Sequence, residues 1–147
     1  MYVHRQALAI GIVVNLLSSP THAFGKPDVI AWSDSMSQTL SSARNLNRPV
    51  LIYVKSANCG WCRKMERSTW SDPAVVRAVT QGFVPLKVDG EQNLAWLDKL
   101  EITGFPAVVV LTASGEVLLH LEGYQSPKDL LHRLERVAHT SNSTNRH

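Results

Sequence analysis

Val50-Leu51-Ile52-Tyr53-Val54-Lys55-Ser56-Ala57-Asn58-Cys59-Gly60-Trp61-Cys62 is the stretch on which the reading of this 147-residue chain turns. Its first five residues form a short, continuous apolar run rich in β-branched side chains, the pattern of a strand buried on both faces. From Cys59 onward the sequence is compatible with a helix, so Cys59 falls at a strand-to-helix junction. Unpaired backbone N–H groups and the helix dipole favour negative charge at such a junction, which stabilises a thiolate. Cys62 returns to the same side of the helix and is placed to attack a mixed disulfide formed by Cys59. The pair reads as an intramolecular redox couple, fast and reversible because no distant segment has to move. Arg63 adds positive potential, whereas Lys64 and Arg67 read as a solvated face.

Three other uses of Cys59 and Cys62 fit less well. Structural zinc needs about four nitrogen or sulfur ligands. The chain has only these two cysteines, and its six histidines are scattered, so no metal site is assigned. Covalent haem attachment needs a His directly after the second Cys, where Arg63 stands. A purely structural disulfide gains stability with the length of the loop it closes. A bridge across Gly60 and Trp61 closes almost nothing.

Toward the N-terminus, Arg5 and His4 precede an apolar run from Ala7 to Leu17, followed by Ser18-Ser19-Pro20-Thr21-His22-Ala23. A basic start, a short apolar middle and a small-residue exit describe a secretory signal peptide. The run is about half of the roughly 20 residues a membrane-spanning helix requires. Residues 1–23 are thus expected to be a signal peptide cleaved after Ala23, making the protein periplasmic or secreted. A buried N-terminal helix would not account for these flanks. Losing Arg5 takes the formal net charge from +3 to +2. So weak and dispersed a charge gives no footing for nucleic acid or an anionic membrane.

The remainder reads as one domain over residues 24–139. Met36, Leu40, Ala43 and Leu46 recur at helical spacing, with Ser33 or Asp34 as cap, and Asn47-Arg48-Pro49 ends that helix. Asp72-Pro73 starts a further short helix after the cysteine pair. Phe83–Val88 is a second strand in which Pro85 limits one edge. Leu94, Leu97 and Leu100 mark a short helix, with Trp96 beside them. Ala107–Leu111 and Glu116–Leu121 form a hairpin around Ala113-Ser114-Gly115. Ser126 and Pro127 open a final helix carrying Leu130, Leu131, Leu134 and Val137. Residues 140–147 lack apolar groups and are expected to be a disordered tail. Strands separated by helices imply a parallel pair, and the closing hairpin adds antiparallel edges. The fold class is α/β, a mixed sheet covered by helices on both faces.

Gly104-Phe105-Pro106 precedes the third strand and admits two readings. A cis X-Pro peptide beside a redox pair would leave the preceding backbone free to pair with an extended substrate. An ordinary trans proline at a strand start fits the sequence equally well. Trp61, between the cysteines, reads as a shield for the sulfurs and an apolar contact for substrate, and Phe105 as shaping the substrate groove. Trp32, Trp70 and Trp96 read as packing residues.

Arg48-Pro49-Val50-Leu51-Ile52, Cys59-Gly60-Trp61-Cys62-Arg63-Lys64-Met65-Glu66, Asp72-Pro73-Ala74-Val75 and Phe83-Val84-Pro85-Leu86-Lys87-Val88-Asp89 together carry a resemblance. From Trp32 to about Val137 the chain resembles the thioredoxin-like family, in particular an exported bacterial subgroup related to the C-terminal domain of the membrane thiol:disulfide interchange protein. The resemblance implies a three-layer fold around a four- to five-stranded mixed sheet, and a protein disulfide oxidoreductase. It implies Cys59 as nucleophile, Cys62 as resolving thiol and Pro106 as a cis-proline. Its partners would be protein thiols and disulfides and a membrane or periplasmic redox protein. No cofactor is expected beyond the Cys59–Cys62 disulfide. A reductase or electron relay leads; an oxidase or isomerase, or a non-catalytic thiol- or metal-handling chaperone, are the alternatives. Two departures stand out. Tyr53 occupies the place of the family's buried Asp, and Pro85 aligns with the Lys that accompanies it. Both members of that charged pair are therefore expected to be missing, leaving water, Tyr53 or another group the sequence does not identify to handle the proton of Cys62, with Glu66 the lesser candidate. Glu66 itself reads as solvent-facing.

Overall fold

The computed structural model describes residues 29–144; the expected signal peptide and residues 145–147 lie outside them. The elements are α1 (Met36–Leu46), β1 (Val50–Lys55), α2 (Gly60–Ser68), α3 (Pro73–Gly82), β2 (Val84–Asp89), a 3₁₀ turn (Gly90–Gln92), α4 (Leu94–Lys99), β3 (Ala107–Leu111), β4 (Val117–Glu122) and α5 (Pro127–Thr144). The sheet order is β2-β1-β3-β4. β1 and β2 are parallel, joined through α2 and α3, while β1/β3 and β3/β4 are antiparallel. This is the mixed four-stranded α/β sheet expected from the order of elements.

Alternation along the two central strands divides the core. Leu51 and Tyr53 of β1, with Val108 and Val110 of β3, face Met65, Val75, Val76, Val79, Leu130 and Leu134 on α2, α3 and α5. Val50, Ile52, Val54, Ala107, Val109 and Leu111 face the opposite side, with Ala43 of α1 and Leu100 after α4. β1 and β3 are consequently apolar at every position of those faces, which explains their unbroken apolar runs. Each fully buried Val, Leu or Ile contributes about 1.5–3 kcal/mol relative to exposure.

β2 is an edge strand, and its outer side is partly covered by the chain at Ser33. The Ser33 N–H donates to Pro85 O (3.0 Å) and the Lys87 N–H to Ser33 O (2.9 Å). Pro85 thus lies where its missing N–H interrupts no bond to β1.

Two helix boundaries differ from the sequence reading. Ser35, not Ser33 or Asp34, caps α1, its Oγ accepting from Gln38 N. Ser33 is held away by its part in the β2 edge, with its Oγ receiving the Ser35 N–H. The second is α5, which continues to Thr144, so residues 140–144 of the expected disordered tail are helical. The Thr140 hydroxyl donates to Arg136 O at 3.0 Å, a local bond that accommodates a polar residue in a helix.

Candidate active site

α2 begins immediately after Cys59, which is itself the N-cap residue in extended conformation. Cys59 Sγ accepts the Cys62 N–H at 3.0 Å. The two cysteines are joined by a disulfide, with Cα atoms 5.2 Å apart. Cys62 is 2 % exposed, whereas Cys59 is half-buried at the helix end. An incoming sulfur therefore reaches Cys59 first. After reduction, the Cys62 N–H and the N-terminal turn of α2 would face a Cys59 thiolate, a charge-assisted contact that favours its ionised form.

Behind the pair, Tyr53 is fully buried and its hydroxyl donates to Cys62 O at 3.2 Å. Burial raises the Tyr53 pKa far above the ordinary tyrosine range, and the negative charge of Glu66 acts in the same direction. A weak interaction with the Trp70 indole opposes the shift, although Trp70 Nε1 makes no geometric hydrogen bond. Trp32, Tyr53 and Trp70 form a contiguous aromatic cluster, with centroids 5.1–5.8 Å apart. Tyr53 is thus a neutral donor packed in an aromatic wall, chemically unlike a carboxylate.

The strand register sets another lysine beside Tyr53. Lys87, not Pro85, is the partner of Tyr53 across β1 and β2. Lys87 Nζ lies 3.7 Å from Glu66 Oε1, and Lys55 Nζ lies 3.1 Å from the same oxygen. Glu66 is accordingly half-buried and doubly paired, where the sequence reading had it facing solvent. Its four-residue offset from Cys62 on α2 turns it toward the ends of β1 and β2.

Pro106 is buried at the start of β3. The pairing of Val54 with Ala107 puts it at the same end of the sheet as Cys59. The Phe105–Pro106 peptide is cis. Pro106 O accepts the Gly123 N–H at 2.7 Å. The Phe105 ring packs with the second core cluster. A Cβ on Gly90 would approach it to 2.5 Å, so only glycine leaves room there. The Phe105 side chain is only partly buried by this packing. Among the described residues, no hydrogen bond occupies the Phe105 N–H or C=O. The loop before it is held by Glu122 of β4, whose carboxylate accepts from Thr103 N (2.7 Å) and Thr103 Oγ1 (2.8 Å).

Trp61 stands out from α2 at 57 % exposure, and its ring stacks at a tilt on Tyr124, centroids 5.8 Å apart. Lys64 Nζ lies over both rings, 4.8 Å from Trp61 and 4.4 Å from Tyr124. Sequence reasoning missed Tyr124, Lys87 and Glu122. Each reaches the site from another strand or loop, and no local spacing signals that. Among the described residues no three His, Cys, Asp or Glu side chains converge as a metal site, and no helix is long and apolar enough to cross a membrane.

A family model for the thioredoxin-like domain matches residues 36–138. The chain is similar to spermatogenesis-associated protein 20 of Homo sapiens, 30% identical over 94 residues, 64% of this chain and 11% of that protein. It is also similar to the thiol:disulfide interchange protein DsbD of Vibrio vulnificus, 26% identical over 111 residues, 71% of this chain and 18% of that protein. The chain corresponds to only a small part of either relative. Among solved structures, a thioredoxin from Thermus thermophilus shares the fold with a TM-score of 0.70 and 23% identity, over 80% of this chain and 93% of that one.

Proposed function

This chain belongs to the thioredoxin-like domain family, and from that premise we propose that it is an exported thiol–disulfide oxidoreductase acting on protein cysteines, working as a reductase or electron relay. The observation that carries the reading is the Cys59–Cys62 disulfide, with Cys59 as the accessible cap of α2 and Cys62 buried behind it.

In the reducing direction, the Cys59 thiolate attacks one sulfur of a client disulfide. The client S–S bond breaks, a mixed disulfide forms, and the departing client sulfur takes up a proton. Cys62 then loses its proton and attacks Cys59 Sγ, releasing the second client thiol and closing the Cys59–Cys62 bond. Two electrons pass from the dithiol to the client, and the two cysteines are the only redox group the reaction needs. The open Phe105 backbone supplies a short edge for an extended client segment. A redox partner protein of the exported compartment then restores the dithiol. Export itself rests on the signal-like residues 1–23.

Reduction of insulin by dithiothreitol tests the assignment. The wild type should accelerate precipitation, and Cys59→Ser should abolish the acceleration. Cys62→Ser should accumulate a mixed disulfide through Cys59, visible by mass spectrometry. Identical behaviour of all three proteins ends the catalytic reading. Equilibration with glutathione decides direction: related folds span about −270 to −120 mV, and a value near the upper end makes the protein an oxidase.

A further inference from the structure

We infer that Trp61, Lys64 and Tyr124 form a docking platform for a client polypeptide that carries a carboxylate side chain beside its disulfide. The inference rests on the exchange reaction proposed above and names its substrate class.

Tyr124 ties the platform to both sides of the sulfur site. Through its stack on Trp61 it adjoins the segment between the cysteines. Through the bond of neighbouring Gly123 to Pro106 O it adjoins the loop opposite. A segment laid over Cys59 against the Phe105 backbone therefore runs beside the two rings. Lys64 is held between them by its contacts with both faces, so its charge has a defined position at that edge. Its hydroxyl-bearing neighbour Ser68 braces the far ring, 3.2 Å from the Tyr124 hydroxyl.

Charge selects the occupant. Arg63, Lys64 and Arg67 are all exposed on α2, and none of them forms an ion pair among the described residues. Of the nearby carboxylates, Glu66 is ion-paired between Lys55 and Lys87, and Glu122 turns its oxygens to Thr103. Asp129, which accepts from Ser126 Oγ at 2.6 Å, is the one negative charge acting on Tyr124, against the three cations of α2. The face beside the reactive sulfur is thus a cationic surface with an aromatic floor. An acidic residue next to a client cystine complements it, and a basic one is repelled.

Three fluorogenic peptides identical except for Glu, Gln or Lys beside the cystine provide the test. Second-order rate constants are measured with the reduced full chain at low salt and at about 0.5 M NaCl, where exposed charges are screened. At low salt the Glu peptide should react about tenfold faster than the Lys peptide. The ratio should fall toward unity at high salt and reverse in Lys64→Glu. Trp61→Ala and Tyr124→Ala should each reduce it, with circular dichroism confirming that the variants fold. Equal rates at low salt, or a ranking that Lys64→Glu leaves intact, overturn the inference. So would equal rates accompanied by Lys64-dependent flotation on phosphatidylglycerol vesicles, which assign the patch to an anionic lipid surface. Failure of the wild type to reduce any peptide sinks the exchange reading with it; turnover without ranking sinks only the client preference.

Discussion

Behind Cys62, the buried Tyr53 presents a hydroxyl that does not titrate near neutrality. Its raised pKa means that the stability it adds is present below the ordinary tyrosine range. That stability is lost only as pH climbs past it, where the unfolded chain ionises and the folded one resists. Its hydrogen bond to Cys62 O therefore persists at neutral pH, and Tyr53 holds the start of α2 without accepting a proton from Cys62. Tyr53→Phe should cost about 1 kcal/mol in urea unfolding. The same variant should keep the wild-type pH profile of mixed-disulfide resolution between about pH 6 and 8, well below the ordinary tyrosine pKa. An altered profile, followed by stopped-flow fluorescence, would make Tyr53 a proton carrier instead. Glu66 is the nearby carboxylate. Held at about one-third exposure between two lysines, each of its ion pairs is worth only about 0–1 kcal/mol. The importance of those pairs lies in where they place the charge.

Among the elements, α2 and α3 show how short helices are started in this chain. α2 is capped by a sulfur, which leaves its first turn available to the reactive group. α3 is capped by Asp72, whose Oδ1 accepts from Ala74 N (2.9 Å) and Val75 N (3.1 Å), with Pro73 following at the first helical position. Asp72→Ala should lower the unfolding free energy by about 1 kcal/mol. It should leave insulin reduction unchanged when assayed well below the melting temperature. A loss of activity in the folded variant would mean that α3 sets the position of α2 more tightly than its cap alone implies. The Asp72-Pro73 signal was readable in sequence because a cap is a local bond over two or three residues. The cap of α1 was displaced to Ser35 because Ser33 had a second obligation at the β2 edge, which only the assembled sheet reveals.

Across the whole molecule, Glu122 links the last strand to the loop that leads into Pro106. Hydrogen bonds from the Thr103 backbone and then from its hydroxyl hold the Glu122 carboxyl below the usual carboxylate range, with His120 Nε2 3.4 Å away adding to the effect. A depressed folded-state pKa contributes stability above the unfolded pKa and loses it as pH falls through the folded one. The wild type should therefore melt above Glu122→Gln at neutral pH, with the two curves converging below about pH 4, the ordinary carboxylate range. A difference that stays constant with pH would show that the charge of Glu122 plays no part in holding the loop. This clamp, the Lys87 register and the Trp61–Tyr124 stack all join segments distant in the chain, and for that reason none had a sequence signal.

What the sequence determined by itself was whatever rests on neighbouring residues: two central strands without polar interruption, a cysteine pair at a strand-to-helix junction, the Pro-started helices and the mixed order of elements. Hydrophobic periodicity and capping act over a few residues, so they can be read along the chain. The tertiary structure alone decided how the Cys59–Cys62 pair is surrounded. β1–β2 register brought Lys87 beside Tyr53, core packing set the Phe105 ring against Gly90, and the return of the chain at Gly123 set Tyr124 against Trp61. Those outcomes depend on pairings and close packing between remote segments, which residue spacing does not encode.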